Sequence, residues 1–168
     1  SLGDEGVLAL VGDSTNAMRD GRSASEADVA HTLMKIIADA PRCVAVTLFA
    51  SNVARVASIA EAARKSGRTL VVAGRALHRI IEVAKETGYL PESFTYLDQQ
   101  RFSDLPRNKT LVLCTGSQGE SRAAVARIAS EEHPDISLDK GDLVIFSSRT
   151  IPGNEKAVSK VQNALARI

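Results

Sequence analysis

Apolar runs alternate with helical patterns along most of this chain. Five nearly continuous apolar runs are rich in β-branched residues: Val7–Val11, Cys43–Phe49, Thr69–Ala73, Thr110–Cys114 and Leu143–Ser147. Runs of this kind are typical of strands that are covered on both faces of a parallel sheet. We therefore predict an α/β fold, a Rossmann-like three-layer doubly wound domain whose mainly parallel sheet has about five or six strands flanked by helices.

Helix-starting and helix-ending residues lie between the apolar runs. Ser23 and Glu26 form a capping box ahead of apolar positions spaced for one helix face. Asn52 can cap a second helix, which Gly67 ends. Three further helical patterns follow in the chain: Leu77–Ala84, Gly119–Ser130 and about 155–168. The less regular segment after the third run offers a short edge strand and one helical turn, Tyr96–Leu97 and Gln99–Leu105.

Composition narrows the class of protein. The 168 residues are 44% apolar and 24% charged, as in one ordinary globular domain. No apolar run is long enough to span a membrane, so we expect no membrane partner. Cys43 and Cys114 lie inside apolar runs, which favours buried free thiols and a cytoplasmic location over a disulfide. A net charge of +1 excludes a bulk polycation, so nucleic acid would have to contact localised arginines and loop amides.

Small and polar residues follow each apolar run. The five segments are Gly12–Asn16, Phe49–Asn52, Ala73–Arg75, Thr115–Glu120, and Ser147–Arg149 with Ile151–Glu155. Because the carboxyl ends of parallel strands meet at one edge of a sheet, we expect these segments to line that edge. Ligands bind along such edges, so the sequence predicts an extended polar working surface.

The segment Thr115–Glu120 carries the most explicit chemistry. Gly116 and Gly119 give it a flexible backbone, and a predicted helix start lies at the same point. Backbone amides at a helix start favour an anion such as phosphate. Alternatively, the segment is only a tight turn in which Ser117 or Thr115 caps the helix. It lacks the ending of a P-loop and the spacing of a dinucleotide fingerprint.

Two arginines and one carboxylate lie at neighbouring strand ends. Arg55 and Arg75 suit phosphate because a guanidinium donates two parallel hydrogen bonds, although either could be a solvated surface charge. Asp13 could cap its own turn, or it could orient a histidine or a metal-bound water. The three histidines show no metal-ligand spacing, and no Ser-His-Asp arrangement or activated cysteine is evident.

The polar segments, taken together and in this order, resemble the β-CASP domain of bacterial ribonuclease J. The motifs Thr-Gly-Ser-Gln-Gly-Glu at 115–120 and Ile-Pro-Gly-Asn-Glu at 151–155 are the most specific. The resemblance implies a zinc enzyme with a metallo-β-lactamase fold that acts as a 5′-to-3′ exonuclease and endonuclease in RNA processing and decay. The β-CASP domain of such enzymes is inserted into the metallo-β-lactamase domain, and RNA lies in the cleft between them. The resemblance also implies a parent protein that forms homo-oligomers through its other domains.

The resemblance also suggests roles for individual residues. Asp13 matches the acidic position of the family's first β-CASP motif, which supports the active site by bonding a histidine. The loops at Ser51–Asn52, Ser117–Gln118 and Ser147 face the RNA in such enzymes. Together with the residues proposed above from their chemistry, the candidates for contact with RNA or its phosphates are Ser14, Thr15, Ser51, Asn52, Arg55, Gly74, Arg75, Thr115, Gly116, Ser117, Gln118, Gly119, Glu120, Ser147, Ser148 and Asn154.

The chain differs from the family in lacking the residues that bind the catalytic zinc. The His-x-His-x-Asp-His zinc motif and the later histidine motifs are missing. We therefore expect residues 1–168 to be a β-CASP domain cut from a longer protein, as the start at Ser1 without methionine also suggests. It would hold no metal or cofactor itself and would not cleave RNA alone. The alternative is a freestanding α/β module that binds a nucleotide or phosphosugar.

Overall fold

In the computed structural model, residues 2–9, 11–12, 18, 20–21 and 25–168 are described. Within these ranges the helices α1 to α6 are Leu2–Glu5, Glu26–Asp39, Val53–Lys65, Arg75–Glu86, Ala124–Ala129 and Glu155–Leu165. The strands β1 to β5 are Val44–Thr47, Thr69–Ala73, Leu97–Asp98, Thr110–Cys114 and Leu143–Phe146. Two short 3-10 helices, Gln99–Asp104 and Arg107–Lys109, lie between β3 and β4.

The five strands form one sheet in the order β3-β2-β4-β1-β5, and every neighbouring pair is parallel. Helices α2, α3 and α4 pack on one face of the sheet, which we call the first layer. Helices α5 and α6, with the 3-10 helix Gln99–Asp104, pack on the other face, the second layer. The predicted three-layer α/β fold with a parallel sheet is therefore confirmed.

The apolar runs become strands because both of their faces are covered. In β1, Val44 and Val46 pack against the first layer, whereas Ala45 packs against the second. Every residue of β1 and β4 is buried. Cys43 and Cys114 are buried free thiols, as predicted, and burial raises the pKa of each thiol to about 12.

Two predicted elements near the start of the chain differ from the structure. The apolar run Val7–Val11 is not a strand in its described residues 7–9 and 11, and Leu8 is fully exposed. An apolar run predicts a strand only where a neighbouring strand can pair with it. Helix α2 is capped by Ser25, whose hydroxyl accepts from Asp28 N at 3.1 Å in a capping box. The predicted cap Ser23 lies outside the described residues.

The predicted helix Gly119–Ser130 is shorter in the structure. It begins only at Ala124, and residues 115–123 form turns. The predicted edge strand is confirmed one residue further along, as β3, and the predicted helical turn after it is the 3-10 helix Gln99–Asp104. The positive end of α5 therefore lies four residues after Glu120 and not within the polar segment.

Ion pairs fill the amino ends of the strands. The carboxylate of Asp142 is almost fully buried and accepts from Cys43 N at 3.2 Å and from the guanidinium of Arg107. Burial raises the pKa of this carboxyl, but the hydrogen bonds from Arg107 and the Asp139 amide outweigh it, so the pKa lies below its usual value. The amino edge of the sheet is therefore closed by structural contacts.

Candidate nucleic-acid interface

The loops that follow the carboxyl ends of the strands lie along one edge of the sheet, which we call the carboxyl edge. Thr115 N donates to Ala73 O at 3.3 Å, so the loops after β4 and β2 are neighbours. Ser147 N donates to Thr47 O at 2.8 Å, which joins the loops after β5 and β1 in the same way. The sheet topology thus brings four of the five predicted segments together. The fifth contains Asp13, Ser14 and Thr15, which lie outside the described residues.

The loop Thr115–Glu120 is held in a turn by its own side chains. Thr115 Oγ1 accepts from Ala124 N, the first residue of α5, at 3.3 Å. Glu120 Oε2 accepts from Gln118 N at 3.0 Å. Gly116 takes a φ of +113°, where a Cβ would contact the Ala123 and Val125 side chains at 2.7 Å. Thr115 therefore has the capping role that the sequence left open as an alternative.

Gln118 ties this loop to the loop after β5. Its Nε2 donates to Arg149 O at 2.9 Å and to Ser148 Oγ at 3.4 Å. Its Oε1 accepts from Ile151 N at 2.8 Å and from Asn154 Nδ2 at 3.3 Å. The side chain is buried, and both ends of its amide are used inside the domain. Gln118 thus clamps two loops together, and its predicted contact with RNA would require these bonds to break.

Two glycines allow the loops to pack closely. Gly119 has a φ of +79°, and a Cβ there would lie 2.6 Å from the backbone oxygen of Ala157 in α6. Gly74 has a φ of +112°, and a Cβ there would meet Thr115 Oγ1 at 2.5 Å. Side chains rarely adopt such φ values, so both positions require glycine for the loops to approach each other.

Arg55 braces α2 and β5. Its guanidinium forms a two-pronged pair with Glu26, through Nε at 2.6 Å and Nη2 at 2.9 Å, and its Nη1 donates to Ser147 Oγ at 2.6 Å. The hydrogen bond from Arg55 is the main reason that the pKa of Glu26 lies below its usual value, while partial burial acts in the opposite direction. Arg55 does face the carboxyl edge, but all three guanidinium nitrogens already have partners. The sequence could not reveal Glu26 as the partner, because it lies 29 positions away.

The remaining predicted residues differ in exposure, and Ser117 is buried, with 2% of its surface exposed. Ser51 is exposed, and Asn52 caps α3 as predicted by accepting from Arg55 N at 3.0 Å. Gly74 begins α4 without a side-chain cap, which leaves backbone amides of the first turn open. Arg75, the next residue, is exposed, and no other described residue pairs with its guanidinium. Arg75 and the start of α4 therefore form the most accessible positive feature among the predicted residues.

A groove of about 650 Å³ runs between α2 and β5 at the carboxyl edge. Asn52, Arg55, Ser147 and Ser148 line it on the polar side. Phe49 also lines it and is 36% exposed; it begins the predicted segment Phe49–Asn52, but no binding role was predicted for it. An aromatic side chain placed directly after a buried strand and before a polar loop is the signal that could have identified it.

Comparison with known proteins identifies the family. The profile of the family described as "Ribonuclease J, beta-CASP domain" matches residues 41–165. This chain belongs to the ribonuclease J β-CASP domain family. It is 49% identical to ribonuclease J of Sinorhizobium meliloti over 98% of this chain and 29% of the relative. It is 45% identical to the Corynebacterium glutamicum ribonuclease J over 99% of this chain and 23% of that protein, and 42% identical to the Thermus thermophilus ribonuclease J over 97% and 28%.

The chain therefore spans about a quarter to a third of the length of the curated relatives that it matches. Within the described part of this β-CASP domain, no group of three or more His, Cys, Asp and Glu side chains could hold a metal ion. The ring of His78 contacts Tyr96 Oη at 3.3 Å, and His133 Nδ1 accepts from Ile136 N at 3.2 Å. Both histidines thus pack within the fold. None of the described helices is long and apolar enough to cross a membrane.

Proposed function

We propose that this β-CASP domain forms the RNA-clamping half of a zinc-dependent ribonuclease. The metallo-β-lactamase domain of the same polypeptide would supply the other half of the cleft. The parent enzyme would degrade and process RNA as a 5′-to-3′ exonuclease and endonuclease in the cytoplasm. Family membership supports the nuclease assignment, and the names of the relatives support ribonuclease J as the parent. The length of the relatives leaves room for the catalytic domain.

The carboxyl edge is the single observation that carries the RNA-binding part of the proposal. Loops from four neighbouring strands meet there, and Ser51, Gly74 and Arg75 present a hydroxyl, open amides and a guanidinium to solvent. These groups suit the phosphates of a single RNA strand, because each can donate to a phosphate oxygen. The net charge of +1 means that the contribution of such local donors decides the affinity.

In this proposal zinc is a cofactor of the parent enzyme and is not held by the described residues of this domain. The described residues do not provide a ligand set for it, so they do not fit a resident metal. Asp13 retains its proposed supporting role at the active site, and the oligomeric state of the parent stays a prediction. We expect the 168-residue chain not to cleave 5′-monophosphorylated RNA in the presence of zinc. Cleavage that persists after repurification would contradict this.

The experiment that tests RNA clamping is a salt titration of binding in the full-length parent. Arg75→Ala should weaken binding of single-stranded RNA and reduce the slope of log K against log salt by about 0.7, the value for one lost phosphate contact. Lys109→Ala is the matched control, because Lys109 is an exposed cation at the amino end of β4, the opposite edge of the sheet. Equal effects of the two substitutions would refute a local contact and leave only a general effect of charge.

A further inference from the structure

The outer edge of β5 is open in the described part of the chain. β5 pairs with β1 alone there, through Leu143 N to Cys43 O at 2.9 Å at one end and Ser147 N to Thr47 O at 2.8 Å at the other. Because backbone groups alternate along a strand, Leu143, Ile145 and Ser147 face β1. The backbone N–H and C=O groups of Val144 and Phe146 therefore point away from the sheet.

The side chains of β5 are also incompletely covered. Leu143 and Ile145 pack against the first layer, and Val144 and Phe146 pack against the second. All four are half-buried, whereas every residue of β1 and β4 is buried. Apolar edge strands normally carry a protecting charge, proline or bulge, because an open edge invites pairing with another strand. β5 reads Leu-Val-Ile-Phe and carries neither charge nor proline, so its sequence is that of an inner strand.

The handedness of the fold indicates how a further strand would reach this edge. Helices α3 and α4 of the first layer carry the chain from β1 to β2 and from β2 to β3, towards the β3 side of the sheet. Helix α5 of the second layer carries it from β4 to β5, in the opposite direction. When all crossovers between parallel strands have the same handedness, connections that run in opposite directions along the sheet lie on opposite faces of it, as they do here. Helix α6 lies in the second layer, so a parallel strand that continues from it would lie beyond β5.

We propose that the outer edge of β5 is an interaction surface for one parallel strand, formed by the polypeptide that follows α6 in the full-length protein. The relatives are three to four times as long as this chain, so they contain further polypeptide outside the matched region. The strand would pair with Val144 and Phe146 and cover the half-buried side chains of β5. The carboxyl edge would thereby extend by one more strand end, adjacent to Ser147. This inference is independent of RNA binding.

Amide hydrogen exchange at single-residue resolution tests the proposal. We compare three proteins: the 168-residue chain, the same chain extended by about 15 parental residues, which is enough for a loop and a strand, and the full-length parent. The amides of Val144 and Phe146 should exchange at least about 100-fold more slowly in the extended chain and in the parent than in the 168-residue chain. The amides of Leu143 and Ile145 are the internal control, because β1 protects them in all three proteins.

Each other result would overturn the proposal. Rapid exchange of Val144 and Phe146 in the full-length parent would show that the edge stays open. Protection in the parent but not in the extended chain would assign the edge to a different segment or domain. Protection that is already present in the 168-residue chain would point to its own first residues, or to a second copy if the protection rises with protein concentration.

Discussion

Replacing Gly119 with alanine should destabilise the domain more than its backbone strain alone explains. Gly119 lies where the loop after β4 meets the first turn of α6. A Cβ at this position would lie 2.6 Å from the oxygen of Ala157 and 2.6 Å from the nitrogen of Val158. These are backbone atoms, so no side chain can rotate to make room. Either the loop or the start of α6 must move.

Gly88→Ala provides the matched control for the strain. Gly88 ends α4 with a φ of +77°, close to the +79° of Gly119, but a Cβ there would meet nothing within 4 Å. A left-handed residue with a side chain costs about 1–2 kcal/mol, and both variants share this cost. Forcing an extra carbon into packed structure adds about 1–3 kcal/mol, and only Gly119→Ala bears it. The difference between the two variants should therefore be about 2 kcal/mol.

Urea unfolding of the two variants measures this difference directly. With a slope near about 2 kcal/mol per molar urea, the midpoint of Gly119→Ala should lie about 1 M below that of Gly88→Ala. The slopes should match, since neither change alters the surface exposed on unfolding. Equal midpoints for the two variants would refute the close approach of the loop to α6.

Three further outcomes are expected from the contacts of the carboxyl edge and the core. Gln118→Ala should lower the free energy of unfolding by about 1–3 kcal/mol and speed proteolysis of the loop after β5, because the buried partners of the amide lose their bonds. The hydrogen bond from Arg55 lowers the pKa of Glu26 in the folded state. The pair therefore stabilises the fold at pH values above the usual pKa of 4.5, and this stabilisation is lost as the pH falls through the pKa of the folded state. The unfolding free energies of the wild type and Glu26→Gln should accordingly converge in acid and separate near neutral pH. Cys43 and Cys114, whose pKa values burial raises to about 12, should react with a thiol reagent at pH 8 only through transient opening of the fold, and therefore much more slowly than in the unfolded chain.

The inner strands were predictable because burial on both faces leaves a continuous apolar run. Thr69–Ala73 and Thr110–Cys114 have the predicted bounds in the structure. Val7–Val11 has the same kind of pattern but is not a strand in its described residues. An apolar run indicates that a segment is able to form a strand. Whether a neighbouring strand is present to pair with it depends on the whole fold.

Contacts between distant segments were not predictable in the same way. The segment that begins at Gly119 has acceptable helix chemistry, but α5 starts only at Ala124, and Gly119 takes a non-helical φ of +79° where it lies against α6. Arg55 looked like a surface charge available to phosphate, and its pairing with Glu26 depends on how α2 lies beside α3. At both Gly119 and Arg55, the structure is determined by a contact with a distant segment. The sequence around each residue gives no sign of that contact.

These contacts divide the polar residues of the carboxyl edge into two groups with different expected behaviour. Gln118 and Arg55 use their polar atoms inside the domain, so binding RNA through them would first cost about 1–3 kcal/mol for each set of broken bonds. Ser51 and Arg75 are exposed and would lose only water. Substitutions of Gln118 or Arg55 should therefore lower the free energy of unfolding and leave the salt dependence of RNA binding nearly unchanged. Arg75→Ala should reduce the salt dependence and leave the free energy of unfolding nearly unchanged. A stable Arg55→Ala variant with a reduced salt slope would show that the brace opens to take phosphate, and would contradict this division.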